Sequence, residues 1–393
     1  MIPLSVPVLK GNEKKYMDDA ITSGWVSTAG SYVTRFEREM ADYLKVPNTA
    51  AVQSGTAALH LAMLLSGIKR DEEVIVPTLT FIAAVNPVTY LGAHPIFMDC
   101  DHTLNMDLEK LERFLKTECT KTQEGLLNRS TGRIIKAVVI VHIFGSMADM
   151  EALLSLCKEY RLKLIEDATE ALGTKYTEGS LKGRFAGTIG DFGAYSFNGN
   201  KIITTGGGGM ITARNEEDLK KAVYLSAQAK DDPFHYVHHE VGYNYRMTNL
   251  QAALGVGQLE CLEEYIEKKR ENYGYYKSLL KDRDDVSLLS FCEKARNNHW
   301  FYSLLLNNHK SGRDELMTRL RESGIETRPI WKLIHTQTMY KDCQAYYIEK
   351  APFYQSNVIN LPCSVNLKEA DMDFIVKTLN DGELPEGGWF TWT

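Results

Sequence analysis

Short runs of Val and Ile, unbroken by polar alternation, recur along the first half of the chain: EEVIVP at 72–77, HPIFMD at 94–99, RIIKAVVIVHIF at 133–144 and LKLIED at 162–167. A strand with one wet face alternates apolar and polar residues, so runs of this kind suit strands buried on both faces. Between them lie helical patterns. In GTAALHLAMLLSG (55–67), Ala58, Leu61, Ala62 and Leu65 fall on one face, and FIAAVNPVTYLG (81–92), a polar stretch over 106–118 and MEALLSLCKEYR (150–161) follow the same rule. Strand, helix, strand in repetition predicts an α/β fold with a mostly parallel sheet.

The pattern changes after residue 195. AYSF and GMITA read as two strands separated by a turn, and residues 246–283 read as one long helix, a spine between domains. WFYSLLL (300–306) and a helix near 313–323 predict a smaller α+β unit. The expected division is a large unit over 12–250 and a small C-terminal unit over 251–393, with residues 1–11 packed near the latter. The tail GELPEGGWFTWT carries no readable pattern.

Composition narrows the partners. The 393 residues are 44% hydrophobic and 24% charged, ordinary for a globular protein, and a formal charge of -6 without a basic run argues against a nucleic-acid surface. The longest apolar run, AVVIVHIFG at 137–145, is far short of a membrane span, and the opening residues lack the layout of a signal peptide, so a cytoplasmic location is expected. Seven cysteines with no CxxC pair support neither a disulfide framework nor a cysteine zinc site. Small molecules are the expected partners.

Candidate chemistry starts with glycine. Neither GxxxxGK[ST] nor a GxGxxG after a strand occurs, although GGGG at 206–209 and GVGQL at 255–259 invite the comparison. SGT at 54–56 lies between a strand and a helix; it could hold an anion at the helix N-terminus or simply cap the helix. Asp167 closes an apolar strand at the edge where open α/β sheets keep their ligands, and could pair with a cationic ring nitrogen or a metal, or cap the next helix. HHE at 238–240 lacks a third ligand, so no metal is expected. Lys201, in SFNGNKIITTGGGG, is either a solvated loop lysine or a nucleophile. A nucleophilic lysine needs a site that lowers its pKa, and the neighbouring glycines would let backbone pack against a flat cofactor.

The ordered set SGT, EDATEALG and SFNGNK with its glycine run resembles the fold-type I pyridoxal 5'-phosphate enzymes, and among them the DegT/DnrJ/EryC1/StrS sugar aminotransferases. The resemblance extends through GWVSTAGSYVTRFE (24–37), PTLTFIAAVNPVTYLGAHPIFMD (77–99), GYNYRMTNLQAALG (242–255) and GIETRPIW (324–331). It implies that Lys201 is the Schiff-base lysine and that Asp167 faces the pyridinium nitrogen. By the same likeness Ser196, Gly55 and Thr56 bind the phosphate, and Phe81 stacks on the ring. Asn244 is implied to reach the phosphate of the neighbouring subunit, hence a homodimer with shared active sites. Glu170 stands where many relatives carry Gln near the cofactor's phenolic oxygen, and a carboxyl beside an oxyanion is expected to have a raised pKa. Related dehydratases replace the lysine, typically with His; its presence here favours transamination.

The resemblance further implies transfer of an amino group from L-glutamate, through the pyridoxamine 5'-phosphate form, to a keto sugar on a nucleotide. The branch it points to acts at C4 of a UDP-4-keto-6-deoxy-N-acetylhexosamine in surface-glycan biosynthesis. Trp25, Arg328, Trp331 and His335, with Lys332, are the candidates to contact the sugar or its diphosphate. Two rival readings are an aminotransferase for a 3-keto sugar or cyclitol, and a pyridoxal-phosphate-binding sensor or regulator of the same fold.

Overall fold

The computed structural model describes residues 1–380; residues 381–393, which include the tail GELPEGGWFTWT, lie outside them. Its centre is a sheet whose strands run in the order Ala50–Val52, Gly209–Ala213, Phe192–Ser196, Lys163–Asp167, Ile134–Val141, Glu73–Pro77, His94–Met98 and Ala345–Tyr346. From Phe192–Ser196 onward neighbours are parallel, and Gly209–Ala213 runs antiparallel to both of its neighbours. A hairpin, Cys119–Lys121 with Leu126–Asn128, extends the sheet beside Ile134–Val141.

The unbroken apolar runs are explained by where their side chains go. Ile75, Val138, Ile140 and Leu164 enter one hydrophobic core, while Val74, Val76, Ala137, Val139 and Ile165 enter another on the opposite face. Successive side chains of a strand point to opposite faces, and here both faces are covered by helices. The parallel strands all end at one edge. Pro77, Met98, Val141, Asp167 and Ser196 are their last residues, and Ser54 follows the short first strand at the same edge.

A four-stranded antiparallel sheet, in the order Val286–Leu288, Tyr302–Leu306, Val358–Leu361 and Arg328–Pro329, carries its own core with the helices Arg313–Glu322 and Glu369–Thr378. The N-terminal segment joins it: Ile2 bridges Ile325, and Cys363 N–H donates to the Leu4 carbonyl at 2.8 Å. Two segments cross the division expected near residue 250. The helix Asn249–Leu259 packs on Glu13–Thr22 and Ser31–Leu44, and Ala345–Tyr346 adds an edge strand to the large sheet.

The single spine over 246–283 is not formed. The chain makes two helices, Asn249–Leu259 and Leu262–Leu279, with a break at Glu260 and Cys261. The first begins with a capping box, Thr248 with Gln251. Gly257 in this first helix lies so close to the Glu13 backbone that a Cβ would come within 2.7 Å of its nitrogen. The second presents Tyr276 to the small core. One straight rod could not serve both packing directions.

A buried carboxylate ties the end of the strand His94–Met98 to the segment that leads into the small sheet. The buried Asp99 carboxylate accepts from Lys110 Nζ at 2.7 Å and from the N–H groups of Glu349, Lys350 and Ala351 at 2.8–2.9 Å, capping the helix Ala351–Asn357.

Candidate active site

Three elements meet at the carboxyl edge of the sheet. Ser54 starts the helix Gly55–Leu65, its hydroxyl accepting from Ala57 N–H at 3.0 Å. The cap reading of SGT therefore holds, and it leaves the N–H groups of Gly55 and Thr56 in the first turn, where a helix offers donors without helical partners. Ser196 ends its strand against this turn: a Cβ on Gly55 would lie 3.0 Å from the Ser196 Cβ and 2.9 Å from Thr169 Cγ2. Helix dipole, free N–H groups and a hydroxyl converge as an anion site requires.

Between Phe192–Ser196 and Gly209–Ala213 the chain loops out, and Lys201 sits in this loop. Its side chain is nonetheless only 12% exposed, with the amine 3.9 Å from Glu170 Oε1, and burial lowers its pKa, with Glu170 and Asp167 opposing that shift. Asp167 is buried at its strand end, holds Thr169 N–H at 3.0 Å, and has its pKa raised by burial, with Thr169 and Lys201 pulling the other way. Glu170 is raised to about 7, again by burial first. The rise expected for Glu170 from a neighbouring oxyanion thus has a different cause in the chain alone. Its other oxygen accepts from Phe144 N–H at 2.8 Å, and Phe144 has a positive φ of 53°.

The glycine run behaves differently from expectation. Gly209 pairs with Ser196 and Val52, and a Cβ there would meet the backbone of Ser54 and Gly55 at 2.4–2.6 Å. What it lets approach is the protein's own helix start. A Cβ on Gly208 would strike Thr205 and Met247, whereas Gly207 has open space around it.

Phe81 precedes the turn Ile82–Ala84 at the same edge and is 54% exposed. Trp331 and His335 reach this edge from the small unit: the Trp331 ring lies 4.8 Å from that of Phe144, and His335 Nδ1 is 2.6 Å from Thr78 Oγ1. Burial lowers the pKa of His335. Arg328 is engaged elsewhere, with Glu326 and the Thr327 carbonyl, and Lys332 is exposed. Trp25 is exposed in the loop before the helix Ser31–Leu44, its carbonyl held by Asn249. Asn244 is exposed because its neighbours Tyr243 and Tyr245 turn inward, stacked 4.9 Å apart against His60. Arg246, in the same motif, is structural: it forks onto Glu37 and the Ala51 carbonyl.

Two site residues were not read from the sequence. Trp300 lies under the Lys201 amine, 3.9 Å from its ring centre, and Phe144 anchors Glu170. Both contacts join residues far apart in the chain, and neither NHW nor HIFG has a spacing that announces them. Among the described residues no three His, Cys, Asp or Glu side chains cluster as a metal site would, and no helix is long and apolar enough to cross a membrane.

The donor set fits pyridoxal phosphate: an enclosed amine for an aldehyde, a buried carboxylate for a ring nitrogen and a helix N-terminus with a serine for a phosphate. Comparison with known proteins agrees. The chain is 40% identical over 385 residues to the GDP-perosamine synthase of Vibrio cholerae, covering 94% of this chain and 97% of that one. It is 38% identical over 383 residues to EpsN of Bacillus subtilis, assigned by name to the pyridoxal phosphate-dependent aminotransferases, covering 96% and 95%. Spr1654 of Streptococcus pneumoniae, solved in its PLP form, superposes with a TM-score of 0.86 at 25% identity over 96% of this chain and 97% of that one. Residues 7–380 match the DegT/DnrJ/EryC1/StrS aminotransferase family, so the chain belongs to that family and is a pyridoxal-phosphate-dependent sugar aminotransferase of nucleotide-sugar biosynthesis.

Proposed function

We propose that this chain moves an amino group from L-glutamate to C4 of a 6-deoxy keto sugar carried on a nucleoside diphosphate, with Lys201 as the reacting amine. The observation that carries the reading is the enclosed Lys201 amine within 3.9 Å of Glu170, on a loop between the two strands that flank the helix N-terminus. When bound, pyridoxal 5'-phosphate supplies the aldehyde that takes up the amino group and the ring that stabilises a carbanion.

The chain's own residues do the rest. Burial lowers the Lys201 pKa, so a larger fraction of the amine is neutral and able to accept a proton from the donor's carbon and return it. Asp167, whose charge is costly where it lies, gains by facing a protonated ring nitrogen and so keeps it protonated. Gly55, Thr56 and Ser196 would hold the phosphate, and Phe81 would pack against the ring. Trp331 and His335, at the mouth of the edge, meet the sugar side, with Trp25 as an outer contact; Arg328, committed to Glu326, does not take that role. Asn244, exposed on its segment, completes the phosphate site of a second subunit in a homodimer.

A UDP-linked 4-keto-6-deoxy-N-acetylhexosamine is the acceptor the sequence resemblance favours. The likeness to a protein named GDP-perosamine synthase favours a GDP-linked acceptor as the second reading. The visible spectrum before and after L-glutamate tests the first half: wild type should lose its yellow band, and Lys201→Ala should never convert glutamate. Product NMR with UDP- and GDP-linked 4-keto sugars tests the second half. Amination at C3, or of neither sugar, would sink the acceptor assignment.

A further inference from the structure

Trp300 is 3% exposed, and each of its polar atoms has a partner. Its N–H donates to Asn298 Oδ1 at 3.0 Å, its carbonyl accepts from Lys269 Nζ at 2.9 Å, and Nε1–H donates to the Asn200 carbonyl at 2.7 Å. The ring stacks on Phe301, centroids 4.0 Å apart and 9° from parallel. Asn298 in turn donates to the carbonyls of Glu170 and Leu172 at 2.8 and 2.9 Å. One short segment therefore grips the residue before Lys201 and the backbone of Glu170, and turns a fixed aromatic face to the amine between them.

We infer that Trp300 is a positioning residue for Lys201: its indole face seats the lysine's amine whenever that amine is free and favours its protonated form, while Nε1–H fixes the loop that carries it. The inference rests on the role proposed above for Lys201. An ammonium over an indole is attracted by the negative face of the ring. Burial acts the other way by stripping water from the charge. A carboxylate in direct contact would hold the proton tightly, yet Glu170 stands back at 3.9 Å and the ring centre lies equally far. An amine that must both take and give a proton is served by two such moderate partners.

The test is stopped-flow capture of pyridoxal phosphate by the full apo-chain, followed by its yellow absorbance from pH 6 to 10, for wild type, Trp300→Phe and Trp300→Leu. Only the neutral amine attacks the aldehyde, so the rate rises through the lysine's pKa; the cofactor's own ionisations are common to all three proteins. Losing the ring removes a stabiliser of the ammonium, so the midpoint should fall by ~0.5–1 pH unit in Trp300→Leu. In Trp300→Phe it should fall by less than half as much. A residue that only walls the site would slow capture by one factor at every pH; an unmoved midpoint overturns the inference. If circular dichroism finds Trp300→Leu unfolded, Trp300→Phe decides by the same criterion. Failure of wild type to capture pyridoxal phosphate would instead refute the role of Lys201 itself.

Discussion

An enclosed amine, Lys201, and two buried carboxyls, Asp167 and Glu170, meet within one loop's reach, and Glu170 is the member with the clearest cost. Its folded pKa of about 7 lies above the 4.5 of a free glutamate, so the folded chain holds this proton where the unfolded chain releases it. Stability of the apo-protein therefore falls as pH rises from about 4.5 to about 7 on account of this group. Glu170→Gln removes the titration. Thermal melts should find the variant close to wild type near pH 4 and more stable at pH 8, by about 3 kcal/mol. Equal melting at both pH values would mean that Lys201 fully offsets the burial of the carboxylate. The family resemblance, not the local pattern, marked Lys201, Asp167 and Glu170, and the structure brings the three side chains together. Trp300 was not legible in the sequence, because its partner is the loop at 200–201 and no local period links positions a hundred residues apart.

At the level of elements, the four consecutive glycines separate into different demands. Gly209 faces backbone that cannot yield, so Gly209→Ala should cost more than 3 kcal/mol or abolish soluble expression. Gly207→Ala meets nothing closer than Gln251 Nε2 at 3.9 Å and should keep stability within about 0.5 kcal/mol and cofactor affinity within twofold. Chemical denaturation and cofactor titration of the pair check this; a tolerated Gly209→Ala would show that the helix start can shift. Gly55→Ala is intermediate, since Ser196 and Thr169 side chains can give by a few tenths of an ångström; cofactor affinity should fall ~10-fold, more than stability does. Strand types in the large unit followed directly from apolar runs, because burial on both faces leaves an unmistakable pattern. The helix expected over 81–92 is instead a tight turn, Ile82–Ala84, and a five-residue helix, Asn86–Tyr90. The helix break at 260–261 did not follow from the pattern either, since EEYIEKKRENYGYYK continues a good helical period and only tertiary packing bends the chain there.

At the level of the whole molecule, the hairpin Lys230–Asp232 with Val237–His238 carries Phe234 and Tyr236 at 82% and 75% exposure, close in sequence to Asn244. Such apolar exposure suits a surface covered by a second subunit. If Asn244 serves the partner's site, Lys201→Ala and Asn244→Ala chains should complement. Random mixing yields roughly one heterodimer in two, each with one intact site, so activity should recover to roughly a quarter of wild type. Sites built within single chains would yield no gain over the separate variants. The segment Asn297–Phe301 lies next to Tyr302–Leu306 of the small sheet, yet it grips the lysine loop of the large one. A hybrid joined to a relative's C-terminal quarter before Asn297 would exchange that grip together with Trp331 and His335, and, if those two meet the acceptor as proposed, a change of acceptor and a loss of turnover would arrive as one phenotype. A crossover at Ser303 keeps the grip native and lets acceptor choice be swapped alone.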